Sequence, residues 1–514
     1  MKRFRLSHLW ILTLVIGLYA CEKTEDQIAP TQPEPKVLLT PAEMDRSIVG
    51  ALEANNEFNW TMVNDQVIWS VLNHGDQIMS IGYQPEGFAD IDTRMHEIDL
   101  NESAWVDARE NIIADAIASI NRTAAEPVKR EDVVLKESEN LPYVLLRVAD
   151  LPTVTLMREH PNARYAEPLA YAPTTLATSA EQKVQSSKGC NNDPDNILSS
   201  DYYTTAPNAK VSWVLQKINV PQAWSYQTGR NITVGLIDTG TSQRQAKVMG
   251  EFNSGYSSGR SHTRLSTRYS GMWWWKSKDG PDDDCGHGTQ MFGAIAAPRS
   301  TTGTSVGAAY NANMVSVRGT SDVVLESSND KDGTTDALYL LGGRSDVKII
   351  SMSIGTPFSS GQIADAVRYA YGRGKLLFAA GGTSLDWTSW YGVIFPANMS
   401  ECVAVTGIKE SGYSRCDVCH SGSQIEFVVR MQRDGNADRT SLTLADSGNT
   451  PSYVGGSSVA TATTAGVAAL IWARNPGWSR GTVLSKLRQA SDFYPNRSSE
   501  FGYGTYDALE AMTN

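Results

Sequence analysis

The chain of 514 residues has no apolar run of about 18 residues or more, which excludes a polytopic helical membrane protein. It is also short of positive charge. Lys and Arg number 45 against 56 Asp and Glu, a net charge of −11, the wrong sign for a surface that neutralises phosphates, so nucleic acid is not an expected partner. Cysteine is scarce, with six in all. Disorder throughout is excluded by a composition 41% hydrophobic and 20% charged, and the length suffices for two or three folded units. No internal repeat is visible.

One shorter apolar stretch opens the chain. Lys2, Arg3 and Arg5 precede a segment from Leu9 to Ala20 that is apolar except for Thr13. It is too short to span a bilayer and reads as an export signal. Its end, Leu18, Tyr19, Ala20, Cys21, resembles the lipobox of bacterial lipoproteins. That resemblance implies removal of residues 1–20, lipidation of Cys21 and attachment to a membrane of the cell envelope, facing the periplasm or the cell surface. An ordinary secretory signal with an incidental cysteine is the alternative. Residues 21–36 are polar and Pro-rich and form a linker rather than a core. Five further cysteines, Cys190, Cys285, Cys402, Cys416 and Cys419, leave at least one thiol without an intramolecular partner.

Residues 37–173 read as a first domain. Apolar stretches 67–72 and 78–83 flank Asn73, His74, Gly75 and Asp76 and predict a hairpin. Strand 95–100, helix 103–121, strands 132–137 and 142–148, helix 151–160 and strand 163–168 then follow, the βαββαβ order of a ferredoxin-like fold over about 95–170. Residues 174–200 are rich in Ser, Thr, Asn and Asp and form a linker. Residues 201–514 alternate strands (231–238, 313–318, 346–353, 375–380, 402–408, 424–429) with helices (from 287, 334–342, 362–373, 458–474, 479–491). Nearly continuous apolar strands with helices between them predict an α/β domain with a mainly parallel sheet covered on both faces.

Three segments of this domain carry chemistry: NITVGLIDTG around Asp238, CGHGTQMFGAIAA around His287 and GGSSVATATTAGVAAL around Ser458. Asp238 ends an apolar strand at its carboxyl end, where open α/β sheets place their sites. His287 and Ser458 each open a helix, and a serine in a first turn presents its own N–H and the helix's positive end to an anion. The three together resemble the subtilases, the subtilisin-like serine proteases, and the order Asp, His, Ser is that of subtilisin. The resemblance covers about Val211 to Ala508 and includes KINVPQAW from Lys217. It implies that Ser458 attacks a scissile carbonyl, His287 relays the proton, and Asp238 orients the imidazole. It further implies that IISMSIG from Ile349 pairs with an extended peptide substrate through Ser353, Ile354 and Gly355. The first domain then corresponds to an inhibitory prodomain whose last strand, ending at Tyr165, Ala166, Glu167 and Pro168, delivers the stretch from Pro173 to Asn196 for cutting. An unrelated accessory domain is the alternative.

The sequence departs from the family in places. Where the family reads Ala-Ala-Gly-Asn, with the Asn side chain as second oxyanion donor, this chain has Ala379, Ala380, Gly381, Gly382. Losing that donor costs about a hundredfold to a thousandfold in turnover in subtilisin, and Thr383, Ser384 or a local backbone N–H is the candidate substitute. Ser457, Val459 and Ala462 replace the usual Thr, Met and Pro, and Gln290 stands where a second His is common. These departures keep a second reading open, a peptide-binding lipoprotein of subtilisin fold with weak or no catalysis. A haem-bearing electron-transfer protein is a third.

Cys416, Asp417, Val418, Cys419, His420 match CxxCH, a c-type haem pattern, but in a polar loop whose nearest second axial ligand is Met431, so haem is not expected. Candidate disulfides are Cys402 with Cys416 or Cys419, and Cys190 with Cys285. Gly303 to Gly307 match GxSxG without the strand and helix that motif needs. The Trp run 273–275 is expected to cover core. No metal is required, although Asp193, Asp195, Asp282, Asp283 and Asp284 could offer calcium oxygen ligands.

Overall fold

The computed structural model describes residues 37–173, 190, 194–383 and 392–514. The export signal, Cys21, the linker behind it, Asp193, Ser384 and most of the stretch between Pro173 and Asn196 lie outside the described residues.

The N-terminal region opens with α1 (Pro41–Asn55) and α2 (Asp65–His74). The second helix corrects the expected hairpin. Val67, Ile68, Val71 and Leu72 recur at helical spacing on a buried face, and the Asn64 side chain caps the helix by accepting from Val67 N at 3.1 Å. Only the later arm is a strand, β1 (Ile78–Tyr83). The strand expected at 95–100 is also absent, because Met95–Glu97 is a single 3-10 turn. There follow α3 (Ser103–Asn121), β2 (Val134–Glu137), β3 (Tyr143–Arg147), α4 (Leu151–Glu159) and β4 (Ala163–Pro168). They close an antiparallel sheet in the order β2-β3-β1-β4, the ferredoxin-like order with β1 in the place expected for 95–100.

The larger region is built on seven parallel strands. In chain order its elements are β5 (Thr233–Asp238), β6 (His262–Ser266), α5 (His287–Ala296), β7 (Asn313–Arg318), α6 (Ser328–Gly343), β8 (Val347–Met352), α7 (Gly361–Gly372), β9 (Leu376–Ala380), β10 (Cys402–Lys409) and β11 (Ile425–Gln432). A hairpin of β12 (Ser441–Leu444) and β13 (Pro451–Val454) leads into α8 (Gly456–Arg474) and α9 (Arg480–Gln489). The sheet order is β11-β10-β9-β8-β5-β7-β6, with every pairing parallel. The edge strand β6 was not expected from sequence, because its residues HTRLS are mostly polar and only partly buried.

Both faces of the sheet are apolar, as parallel strands with crossover helices require. Val234 and Leu236 of β5 pack with α5 and α8 on one side, and Ile237 packs with Leu338 and Leu341 of α6 on the other. The N-terminal sheet lies against α6 and α7, and a continuous apolar core joins it to them. Polar contacts fix the alignment. Ser80 Oγ donates to Gln362 Oε1 at 2.8 Å, Lys136 pairs with Asp332 at 2.6 Å, and Glu167 accepts from Gly361 N at 2.6 Å at the start of α7. That last contact meets the positive end of a helix whose Ser360 makes no side-chain cap.

Cys190 is joined to Cys285, as expected. The pairing of Cys402 is corrected: Cys416 and Cys419 are joined to each other, and Cys402 keeps a thiol whose pKa is pushed up by burial. Only Asp417 and Val418 separate the partners in sequence, so the CxxC loop closes on itself.

Candidate active site

The loops after parallel strands gather at one end of a sheet, and this topology brings three carboxyl ends together: Asp238 as the last residue of β5, Ser353 after β8 and Gly382 after β9. Asp238 is buried, and its Oδ1 lies 2.7 Å from His287 Nδ1. Reaching that distance needs two glycines. A Cβ on Gly288 would fall 2.1 Å from Gly240 O, so the turn after β5 and the start of α5 touch backbone to backbone. Thr239 ties them further, its Oγ1 accepting from Gly288 N at 2.9 Å.

Asp283 holds this arrangement from below. Its buried carboxylate accepts from Thr239 Oγ1 (2.8 Å), Cys285 N (3.1 Å), Gly286 N (2.8 Å), Thr289 N (2.8 Å) and Thr289 Oγ1 (2.7 Å). The sequence offers Asp283 only as a candidate calcium ligand, whereas its donors here are all N–H and O–H groups. Asp282 accepts from Gln243 N and lies within ion-pair distance of Arg244 and Arg264, Asp284 pairs with Arg318, and Asp195 accepts from Tyr453 N. No cluster of three or more His, Cys, Asp or Glu side chains suited to a metal occurs among the described residues, and Asp193 lies outside them.

Ser458 stands in the first turn of α8, after Gly455 as N-cap and Gly456 at φ +82°. From Gly456 to Ala473 every residue of this helix is buried except Ser458. Its Oγ donates to Ser353 O at 3.4 Å, and Ser353 Oγ donates to Ser458 O at 2.9 Å. His287, Ser458, Ser353, Ile354, Gly355 and Gly382 all line one cleft of about 930 Å³. Burial pulls the His287 pKa down, but the Asp238 carboxylate and its hydrogen bond, with Asp283 and Asp322 farther off, outweigh it, and the net shift is upward. A buried Asp–His pair beside an accessible serine can generate an oxygen nucleophile and carry its proton.

The segment expected to pair with a peptide is partly engaged. Gly355 N donates to Val323 O at 3.1 Å and Gly355 O accepts from Leu325 N at 3.0 Å, so residues 323–325 run parallel beside 354–356 and occupy the Gly355 backbone. Gly382 N donates to Ser457 Oγ at 3.3 Å, and Thr383 Oγ1 lies 3.1 Å from the same atom. The volume a side chain at 382 would fill holds His420 instead, with Nδ1 2.5 Å from a Cβ built there. His420 is buried, which pushes its pKa down to about 4, and its Nδ1 lies 2.8 Å from Gly392 O. Thus the CxxCH motif forms a disulfide-closed loop against the cleft: His420 N donates to Gly382 O at 3.0 Å, and Cys419 bridges Thr383.

Two other sequence motifs lie elsewhere. Ser305 of the GxSxG match is buried in a loop bridged to Lys210. Trp273 covers core, its indole N–H reaching Leu135 O of the N-terminal region at 3.2 Å, while Trp275 is exposed.

Comparison with known proteins agrees with this geometry. The pattern described as "Subtilase family" matches residues 229–504, more than half of the chain and all three site segments. The chain belongs to the subtilase family. It is thereby a subtilisin-like serine endopeptidase, and peptides are its substrates. M-protease of Shouchella clausii (strain KSM-K16) is 25% identical over 406 residues, 78% of this chain and 96% of the relative. Subtilisin DY of Bacillus licheniformis is 30% identical over 295 residues, 56% of this chain and 93% of the relative. Among solved structures, fervidolysin from Fervidobacterium pennivorans, titled a keratinolytic enzyme related to subtilisin, superposes with a TM-score of 0.57 at 15% identity. That match covers 86% of this subtilase and 61% of fervidolysin, a likeness of fold.

Proposed function

We propose that this subtilase is made as an exported zymogen, anchored through lipid on Cys21, and hydrolyses peptide bonds with Ser458 as nucleophile, His287 as general base and Asp238 as the group that orients it. The observation that carries the reading is the 2.7 Å contact between His287 Nδ1 and Asp238 Oδ1 in a cleft that also exposes Ser458. His287 Nε2 takes the proton of Ser458 Oγ as that oxygen adds to the carbonyl, then returns it to the leaving amine, and water repeats the sequence on the acyl-enzyme. The Ser458 N–H, in the first turn of α8, is one oxyanion donor. No metal or organic cofactor enters this chemistry.

The N-terminal region acts as the intramolecular inhibitor. In support, β4 ends beside α7, and three residues on Tyr171 N donates to Glu326 O at 3.3 Å, next to the segment that borders Gly355. The cut that matures the enzyme falls between Pro173 and Asn196.

The test is intact mass over time for the chain beginning at Cys21, wild type beside Ser458→Ala, together with labelling by an alkyl fluorophosphonate. Loss of an N-terminal fragment and one label per chain in the wild type alone are expected. If both proteins stay whole and unlabelled, the second reading, a peptide-binding protein of the same fold, replaces this one. Gly382 is the feature that would then account for it.

A further inference from the structure

Strand β9 runs out into Gly381, Gly382 and Thr383, and the backbone groups of the two glycines are all engaged. Gly381 N donates to Val405 O at 2.8 Å, Gly381 O accepts from Ile394 N at 3.0 Å, Gly382 N donates to Ser457 Oγ at 3.3 Å, and Gly382 O accepts from His420 N at 3.0 Å. The N–H of Thr383 meets no acceptor among the described residues. Its direction follows from its peptide plane. In a trans peptide the C=O and the N–H point opposite ways, and the Gly382–Thr383 bond is trans. The Gly382 carbonyl is held toward His420, which lies on the β10 side, because Thr406 Oγ1 of β10 donates to His420 O at 2.7 Å. Thr383 N–H therefore points to the other side, toward β8, where Ser458 and Ser353 are hydrogen-bonded to each other. Ser458 N–H, in the first turn of α8, likewise has no acceptor among the described residues. Thr383, Gly382 and Ser458 line one cleft, and Thr383 packs on that same first turn: its Oγ1 lies 3.1 Å from Ser457 Oγ and 3.0 Å from a Cβ built on Gly456.

We propose that the backbone N–H of Thr383 is the second oxyanion donor of this enzyme, in place of the Asn side chain that Gly382 lacks. This deepens the reading of Ser458 as nucleophile and rests on it. As Ser458 Oγ bonds to the substrate carbonyl carbon, the π pair of that carbonyl moves onto its oxygen and the hydroxyl proton passes to His287. The oxygen then accepts from Ser458 N–H and Thr383 N–H, and it returns the pair when the leaving amine departs with the proton. Gly382 makes the exchange of donors possible. Its φ is +127°, a conformation that a residue with a Cβ rarely adopts, and it turns the next peptide so that the carbonyl faces His420 and the N–H faces Ser458. The Thr383 hydroxyl is the weaker candidate, because it is already engaged with Ser457 Oγ. A main-chain donor fixed by the His420 contact needs no side chain to be ordered when charge develops.

The experiment labels the full-length protein with an alkyl fluorophosphonate, whose P=O oxygen takes up charge as Ser458 Oγ displaces fluoride. Intact mass over time at several probe concentrations separates the maximal labelling rate from the affinity for the probe. In one variant the Gly382–Thr383 amide becomes an ester, through incorporation of the α-hydroxy acid counterpart of threonine, which keeps the side chain and removes the N–H. Its maximal rate is expected to fall by about a hundredfold or more at unchanged affinity and Tm. Thr383→Val keeps the N–H and loses the hydroxyl, and its rate is expected to stay within about threefold of the wild type. An ester that labels within about threefold of the wild type overturns the proposal. So does a Thr383→Val that loses about a hundredfold, because the hydroxyl would then be the donor. An ester whose rate, affinity and Tm all fall together marks a loosened loop rather than a lost donor, and overturns it too. If the ester does not fold, Thr383→Val alone decides between N–H and hydroxyl. Failure of the wild type to react with the fluorophosphonate overturns the reading of Ser458, a distinct result.

Discussion

Gly382 marks the clearest departure from the family, and its surroundings say how deep the departure goes. Its φ of +127° is strained for any residue with a Cβ, and that Cβ would meet His420 Nδ1 at 2.5 Å. Restoring the family's residue with Gly382→Asn is therefore expected to lower both Tm and kcat/KM, and a tenfold gain in kcat would show that the side chain finds the oxyanion after all. The missing donor was legible in sequence; the His420 ring that fills its place was not, since it lies 38 positions further along the chain. His287 supports a prediction about pH. The base must be neutral to accept the Ser458 proton, and the net upward shift from its ordinary 6.5 places the acidic limb of kcat/KM above pH 6.5, with activity lost as pH falls through it. In Asp238→Asn the carboxylate's upward pull is gone, so the limb moves to lower pH while kcat drops by about a thousandfold or more. A pH profile whose midpoint is the same in both proteins would rule out His287 as the titrating base. Asp283 touches no substrate, yet five donors converge on it. Asp283→Ala leaves buried N–H groups unsatisfied and is expected to cost at least about 2 kcal/mol of stability in denaturant unfolding.

Among the elements, what could be read in advance divides along burial. Strands β5, β7 and β8 are covered on both faces, so their apolar runs announce them, and α3 and β4 fell where expected because their patterns match their final surroundings. The helix at 65–74 deceived because a buried six-residue apolar run suits a strand or a helix equally, and only the Asn64 cap separates the two. Edge strand β6 and the hairpin β12-β13 carry too little apolar signal to be read. Equally hidden were the contacts between elements distant in sequence. On β4, Arg164 pairs with Asp365 of α7, a carboxylate buried from water that also accepts from Tyr165 OH at 3.2 Å. Arg164→Ala strips that carboxylate of its main counter-charge, and breaking such a buried pair costs about 3 to 5 kcal/mol. The loss falls on the docked N-terminal region. Added to the mature enzyme, a cleaved N-terminal fragment carrying Arg164→Ala is expected to inhibit at least a hundredfold less tightly than the native fragment. Equal inhibition would mean that α7 is not where the inhibitor gains its hold.

For the molecule as a whole, the disulfide between Cys190 and Cys285 decides what the proposed maturation would look like. It closes a sequence separation of 95 residues, worth up to about 4 to 5 kcal/mol against the unfolded chain, and it staples the start of the larger region two residues before His287. The chain just beyond Cys190 is held at two further points. Asp195 N donates to Pro451 O at 3.2 Å beside the Asp195–Tyr453 contact, and buried Asp201 pairs with Arg433 at 3.0 Å and Arg439 at 2.6 Å. A protease cuts extended backbone that can enter its cleft, and backbone fastened at 190, 195 and 201 must first be torn free. The cut is therefore expected between Pro173 and Cys190 rather than between Cys190 and Asn196. The two outcomes separate on a gel run with and without reductant. A cut before Cys190 releases the N-terminal fragment under denaturing conditions without reductant, and the new N-terminus remains tethered beside His287. A cut after Cys190 leaves the fragment covalently bound until the disulfide is reduced, and a fragment that appears only with reductant would show that the anchored segment, not the stretch ahead of it, is what the enzyme processes.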